Sequence, residues 1–226
     1  MKTKILVYSV GRSDLDRYEP ILKCLKNHRS VKLITVGSYI HYLSVFGETY
    51  KYLEKYNLQK RNKSKKLIDN PKYISENLAN EINFTTKVIT KQKPHIIIVL
   101  GDRYEMLAAP ISAMPFNIPI VHFYGGAVTY GAIDELVRHS ITKMSHFHLT
   151  AHDVYSKRIL RMGEENWRVN TIGILNIVNL KKQKILNDRK VENILKLDLR
   201  DKTLLITIHP TTLDNLNLKD DIKNLL

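Results

Sequence analysis

Apolar positions along this chain fall into short, nearly continuous runs separated by longer amphipathic stretches. The runs are Lys4–Ser9, Val31–Val36, His95–Leu100, Ile118–Phe123, His146–Thr150 and Val169–Ile172. Runs of this length with little apolar–polar alternation fit strands covered on both faces rather than strands with one wet side. Between them, apolar residues recur at helical spacing over Arg17–Asn27, from Pro71 to about Lys91, and over Tyr104–Met114, Ile133–Lys143 and Asp153–Met162. Pro71 suits a first helical turn, and Asp153 reads as an N-cap. Ser38–Phe46 reads as a short helix, and Thr49–Tyr56 fits strand or helix equally. Strand–helix alternation sustained over this span predicts an α/β fold: a Rossmann-like parallel sheet with helices on both faces.

The pattern changes near Ile174. Residues 1–175 form the expected first domain, and 176–202 a polar, basic linker with scattered Ile and Leu and some helix. A fresh apolar run, Thr203–Ile208, ends in His209-Pro210-Thr211-Thr212. It reads as the first strand of a second α/β domain, of which only 203–226 are in the sequence, too few residues to enclose a core.

Composition narrows the class. With 226 residues and 43% hydrophobic content the chain can bury a core, and no apolar stretch approaches membrane-spanning length. The start, MKTKILVYSV, runs into Gly-Arg-Ser-Asp rather than a small-residue cleavage site, so it reads as a first strand. A lone cysteine, Cys24, excludes an internal disulfide, and its helical spacing suggests packing; a reducing cytoplasm is the expectation. The net charge of +14 is concentrated in segments such as Lys60–Lys66 and Lys181–Lys202. No aromatic residues interleave with these lysines as a stacking surface would require, so they read as solvated faces and not as a nucleic-acid interface.

Candidate chemistry gathers at the carboxyl ends of the predicted strands, where open parallel sheets bind ligands. Asp102 follows Gly101 directly at the end of His95–Leu100, and a carboxylate on such a bend can act as general acid or base. Its bland alternative is a pair with Arg103 or a cap on the next helix. Glu105 reads as structural. After Ile118–Phe123 come Tyr124 and the paired Gly125 and Gly126, whose free backbone serves close ligand approach or simply a turn. In the helix that follows, Asp134 and Arg138 lie four apart, which suits an ion pair and also a carboxylate presented to substrate. At the first strand end, Arg12 in VGRSDLDR could contact a phosphate; equally, this is an ordinary loop with Asp14 or Asp16 capping the helix. His139 and His146 lack partners at metal-ligand spacing, so no metal site is expected. His209 is a solvated loop histidine or an acid–base group reaching into an interdomain cleft.

Several of these strings together resemble the hydrolysing UDP-N-acetylglucosamine 2-epimerases, the sialic-acid and legionaminic-acid branch of the nucleotide-sugar 2-epimerases. They are Gly101-Asp102-Arg103, Gly125-Gly126, Gly131-Ala132-Ile133-Asp134-Glu135, Met162-Gly163-Glu164, and above all the run from Arg138 to His146, RHSITKMSH. The resemblance implies a GT-B-type pair of Rossmann-like domains with the site in the cleft. It implies conversion of UDP-N-acetylglucosamine to N-acetylmannosamine and UDP, by anti-elimination of UDP and hydration of the glycal, without nicotinamide or metal.

By position, the resemblance makes Asp102 and Asp134 acidic catalytic residues and His209 a catalytic histidine of the second domain. Arg12, Arg103, Tyr124, Gly125, Gly126 and Arg138 become the substrate-binding set. It also implies a homo-oligomer through the first domain, and a separate C-terminal half that completes the UDP-binding wall. Two positions depart from the family pattern: Tyr124 stands where His or Glu is common, and Ala127 where Asp or Glu is common. A phenol with an ordinary pKa near ~10 is a poor base, and an alanine side chain moves no proton. The alternative reading is therefore a non-catalytic sugar- or protein-binding module of the same fold.

Overall fold

The structure, a computed structural model, describes residues 2–61, 71–177, 185–198, 203–207 and 218–225. Its strands are β1 (Thr3–Ser9), β2 (Val31–Gly37), β3 (Ile96–Leu100), β4 (Ile120–Phe123), β5 (Phe147–Thr150) and β6 (Val169–Thr171). All pair in parallel, in the order β2-β1-β3-β4-β5-β6. The order reverses between β1 and β3. At such a switch point two strand–helix loops diverge and leave a crevice above the carboxyl ends.

Strict alternation along each strand builds two cores. Leu6, Tyr8, Ile34, Val36, Ile97, Val99 and Ile120 face one side. There they meet Val88 and Ile89 of α3 (Pro71–Gln92), Ala108 and Ala109 of α4 (Ala108–Ala113), and Val137 and Ile141 of α5 (Ile133–Met144). Ile5, Val7, Leu33, Ile98, Leu100 and Phe123 face the other side, against Leu15, Tyr18 and Leu22 of α1 (Arg12–Asn27) and Leu53 of α2 (Tyr50–Glu54). Double coverage explains why the strands read as continuous apolar runs. The first core also holds a polar anchor. Glu81 of α3 is fully buried and accepts from the Tyr8 hydroxyl at 2.6 Å, the Tyr39 amide at 3.0 Å and Arg61, which seats the helix across β1 and β2.

Several local expectations need correction. Helix α1 begins at Arg12, not Arg17, and its N-cap is Gly11, with no side-chain cap from Asp14 or Asp16. Asp14 instead reaches back to the Val10 amide at 2.7 Å. Cys24 is exposed, because α1 buries Asp14, Leu15, Tyr18 and Leu22 and a residue two beyond Leu22 lies on the far side. Ser38–Phe46 forms two 3-10 turns, Tyr39–Tyr42 and Ser44–Phe46. The stretch after Asp102 is a 3-10 turn (Tyr104–Leu107), then α4, then another turn (Met114–Phe116), broken where Pro110 and Pro115 withhold amide donors. In α6 (Asp153–Arg161) the cap is His152, whose side chain accepts from the Val154 amide; Asp153 sits inside the first turn.

Residues 203–207 pair with no strand among the described residues, and Leu204 and Leu205 are almost fully exposed. A strand exists by its pairing, and no strand among the described residues lies beside this run. The linker does contain helix: α7 (Asp188–Leu195), capped by the Asn187 side chain on the Lys190 amide. The C-terminal α8 spans Leu218–Leu225. His209 and most of the basic run Lys60–Lys66 lie outside the described residues.

Candidate active site

The crevice at the switch point is bounded by the β1–α1 turn, which carries Arg12, and by the turn after β3, which carries Asp102 and Arg103. Arg12 is exposed at the first position of α1. Gly101 has a φ of +79°, a backbone that glycine adopts freely, and its amide donates to the Phe123 carbonyl at 2.9 Å. That bend turns Asp102 out of the strand, with a third of its side chain exposed.

Asp102 pairs with Arg138 and not with Arg103. The Arg138 guanidinium, only 3% exposed, places Nε 3.0 Å from Asp102 Oδ2 and sends Nη2 to the same oxygen. Its remaining donors reach Glu135 Oε2 at 3.0 Å, the Ala127 carbonyl at 3.0 Å and Thr129 Oγ1 at 2.8 Å. A buried guanidinium is tolerated when its donors are satisfied in this way. Asp102 Oδ1 stays outside the ion pair.

The expected Asp134–Arg138 pair is not formed, because Arg138 gives its donors to Asp102, Glu135, Thr129 and Ala127. Burial raises the Asp134 carboxyl above the ordinary aspartate range, and the charge of Asp102 raises it further, against the pull of Arg103 and Arg138. Two carboxylates thus share one site in unlike environments: Asp102 is neutralised by a fixed cation, while Asp134 is held toward its protonated form. Arg103 makes a two-point contact with Glu105, at 3.2 and 3.1 Å, and Glu105 is fully buried.

Tyr124 carries a φ of +65°; its amide donates to the Leu149 carbonyl, and its hydroxyl accepts from the Leu175 amide at 2.7 Å. Burial raises its phenol, against the Leu175 hydrogen bond and the charge of Arg17. The paired glycines answer to packing. A Cβ at Gly126 would lie 2.4 Å from the Tyr155 carbonyl oxygen, and one at Gly125 would lie 2.9 Å from both His122 Nδ1 and Thr142 Oγ1. His139 pairs with Glu135 at 3.0 Å, and His146 Nδ1 accepts from the Ile120 amide. No cluster of metal-ligating side chains occurs among the described residues.

Sequence reasoning missed Glu135, Thr129 and Thr142, which complete the surroundings of Arg138. It also missed His122, fully buried in β4, whose Nε2 lies 2.9 Å from the Gly101 carbonyl. Its signal was a lone histidine inside an apolar strand run.

Residues 23–226 match the model of the UDP-N-acetylglucosamine 2-epimerase family. The chain belongs to this family. It is 34% identical over 226 residues to the GDP/UDP-N,N'-diacetylbacillosamine 2-epimerase (hydrolyzing) of Campylobacter jejuni, an alignment covering 100% of this chain and 59% of that protein. It is 31% identical over 175 residues to the UDP-N,N'-diacetylbacillosamine 2-epimerase (hydrolyzing) of Legionella pneumophila, covering 76% of this chain and 46% of that protein. The fold is shared with the UDP-GlcNAc 2-epimerase of Neisseria meningitidis, solved bound to UDP-GlcNAc. The TM-score is 0.72 at 20% identity, over 88% of this chain and 55% of that one. The chain thus matches about half the length of these relatives. As a family member it has the Rossmann-like domain of a GT-B-type fold, and no helix among its described residues is long and apolar enough to cross a membrane.

Proposed function

We propose that this chain supplies the catalytic first domain of a hydrolysing nucleotide-sugar 2-epimerase that converts UDP-N-acetylglucosamine to N-acetylmannosamine and UDP. The observation that carries the reading is the pair of unlike carboxylates, Asp102 clamped by Arg138 and Asp134 with raised proton affinity, beside the switch point of the sheet. Elimination needs a positioned base for the weakly acidic hydrogen at C2, and Asp102 Oδ1, which lies outside the ion pair with Arg138, suits that task. The C1–O bond then breaks, and UDP departs with the bonding pair. In the hydration, a carboxyl disposed to hold its proton, Asp134, suits protonation of C2, while water adds its hydroxyl at C1 and gives its other proton to the carboxylate this leaves. Arg12 at the helix start and the half-exposed Arg103 supply positive charge for the diphosphate. Tyr124, Gly125 and Gly126 line the sugar side, and His209 would enter from the second domain.

A C-terminal half completes the UDP-binding wall, and the assembly is a homo-oligomer. A cytoplasmic setting belongs to the same proposal, supported by the unpaired Cys24. Two hydrolysing relatives named for N,N'-diacetylbacillosamine favour a second substrate, UDP-N,N'-diacetylbacillosamine, whose reacting C2 poses the same chemistry.

The test uses the chain alone, and the chain fused at Leu226 to the C-terminal portion of the Campylobacter relative. Each is given both UDP-sugars in D2O. The expected result is UDP release, with one solvent deuterium at C2 of the free sugar. No release from the fusion with either sugar refutes the proposal. Binding without turnover would assign the non-catalytic module, the reading that the inert side chain of Ala127 favours.

A further inference from the structure

Asp102 stands on a bend with open space on its Cβ side among the described residues: a Cβ at Gly101 would meet no heavy atom within 4 Å. Two hydrogen bonds to this glycine help to hold the turn that aims the carboxylate. One is the Gly101 amide on the Phe123 carbonyl. The other comes from His122, whose ring is fully buried on the side of β4 that faces α5. The Gly101 carbonyl can only accept, so His122 Nε2, 2.9 Å away, carries the proton. Nδ1 is then the acceptor, and Thr142 Oγ1 lies 3.2 Å from it and 2.9 Å from the Arg138 carbonyl, its single proton shared between the two. Arg138 in turn grips Asp102. These contacts close a ring: Gly101, His122, Thr142, Arg138, Asp102 and back along the chain to Gly101.

We propose that His122 is a positioning residue for Asp102, fixing through the Gly101 carbonyl and Thr142 both the bend that carries the carboxylate and the helix turn that carries its arginine. The inference rests on the reading of Asp102 as the base of the proposed reaction. Around the imidazole stand the Gly101 carbonyl from β3, Thr142 from α5, and, through space, His148, Arg138 and His139, whose charges all disfavour a second proton. Burial is the larger effect and lowers the ring pKa to about 3, so the group serves as a fixed neutral donor and takes no part in proton transfer. The bland alternative is a core histidine that merely satisfies its own nitrogens. It predicts that loss of the ring costs stability and nothing else.

Two substitutions separate these. His122→Phe keeps the ring volume and removes both nitrogens, whereas His122→Gln restores a donor near the position of Nε2. In the fusion described above, the phenylalanine variant is expected to lose about 10- to 100-fold in kcat, as a misaimed group does, with KM changed less than about 3-fold. The glutamine variant is expected to recover most of that loss. In the 226-residue chain, nitrogen NMR is expected to show the Nε2–H tautomer of His122 throughout pH 5–8. Solvent exchange of the Arg138 Nε–H is expected to quicken at least about 10-fold in the phenylalanine variant.

Unchanged kcat and unchanged Arg138 exchange in a folded phenylalanine variant overturn the proposal. So does a protonated or Nδ1–H ring in the wild type. If the phenylalanine variant does not fold, the tautomer and the glutamine variant decide. If the wild-type fusion turns nothing over, the proposed function fails, and the NMR measurements alone judge the positioning role.

Discussion

Gly126→Ala tests whether the paired glycines are required by packing. At Gly126 the added Cβ would lie 2.4 Å from the Tyr155 carbonyl oxygen, 3.0 Å from its carbon and 3.0 Å from Ile159 Cγ1. The first two belong to the backbone of α6, which cannot turn aside as a side chain would. The Gly126 carbonyl also accepts from the Arg158 guanidinium of that helix, which ties the loop to α6. A φ of +80° adds strain of about 1–2 kcal/mol for an L residue, and overpacking against a rigid neighbour about 1–3 kcal/mol. The sum is about 2–5 kcal/mol, which for a domain of this size lowers Tm by roughly 4–20 °C. Gly163→Ala is the control: its φ is +91°, but no heavy atom lies within 4 Å of the added carbon. It should show the backbone strain alone, about 1–2 kcal/mol. Urea denaturation and thermal melts followed by circular dichroism measure both. Equal losses at the two positions would refute the packing argument.

Asp102→Asn removes the charge opposite a buried guanidinium that retains Glu135, so the chain should fold with a loss of about 1–3 kcal/mol by urea denaturation, while UDP release by the fusion falls at least about 100-fold. Glu81→Ala strands Arg61, the Tyr8 hydroxyl and the Tyr39 amide, and should cost about 3–5 kcal/mol, read as a fall in urea midpoint with no change in substrate preference. Acid should destabilise the fold. Burial lowers His122 to about 3 and His41 to about 4, so below the ordinary histidine pKa the unfolded chain binds two protons that the native state refuses, and their stabilisation, complete above about pH 6.5, is lost as pH falls. Burial raises Asp14 to about 6, so the native state holds a proton that the unfolded chain releases, which offsets about one of the two between pH 4 and 6. Stability should therefore fall by about 1.4 kcal/mol per pH unit near pH 5, and Asp14→Asn should roughly double that slope; a flat profile contradicts both assignments.

The sheet was legible because its strands are covered on both faces, which leaves uninterrupted apolar runs such as Ile96–Leu100. The candidate site was read from strand ends alone, and Asp102 does lie two residues past the end of β3. The partnerships were not legible. A spacing of four paired Asp134 with Arg138, but helical spacing is only one bid for the guanidinium. Asp102 arrives from β3 and takes two of its donors, and Glu135 at a spacing of three takes another. Long-range competition of this kind leaves no periodic trace. Cys24 misled for a related reason: its apolar neighbours at helical spacing belong to a stripe that passes it by. The strand expected at 203–208 shows the converse limit, since an apolar run becomes a strand only when another strand lies beside it.

The two departures from the family pattern bear on how the proton work is divided. Where the family commonly offers His or Glu, Tyr124 commits its hydroxyl oxygen to the Leu175 amide and is shifted by burial away from ionising. It can donate a hydrogen bond to a ligand but cannot take a proton near neutral pH. Where the family commonly offers Asp or Glu, Ala127 presents only its carbonyl, and that oxygen is occupied by Arg138. Neither position can serve as a base; in the proposed reaction Asp102 and Asp134 carry the proton transfers instead. Those two suit the division because their surroundings differ: one is paired with a fixed guanidinium, and burial favours the proton on the other. The same substitutions that remove auxiliary groups also tie the site to its frame. Tyr124 links the β4 loop to the Leu175 amide, and Ala127 links it to Arg138, the same guanidinium that grips Asp102.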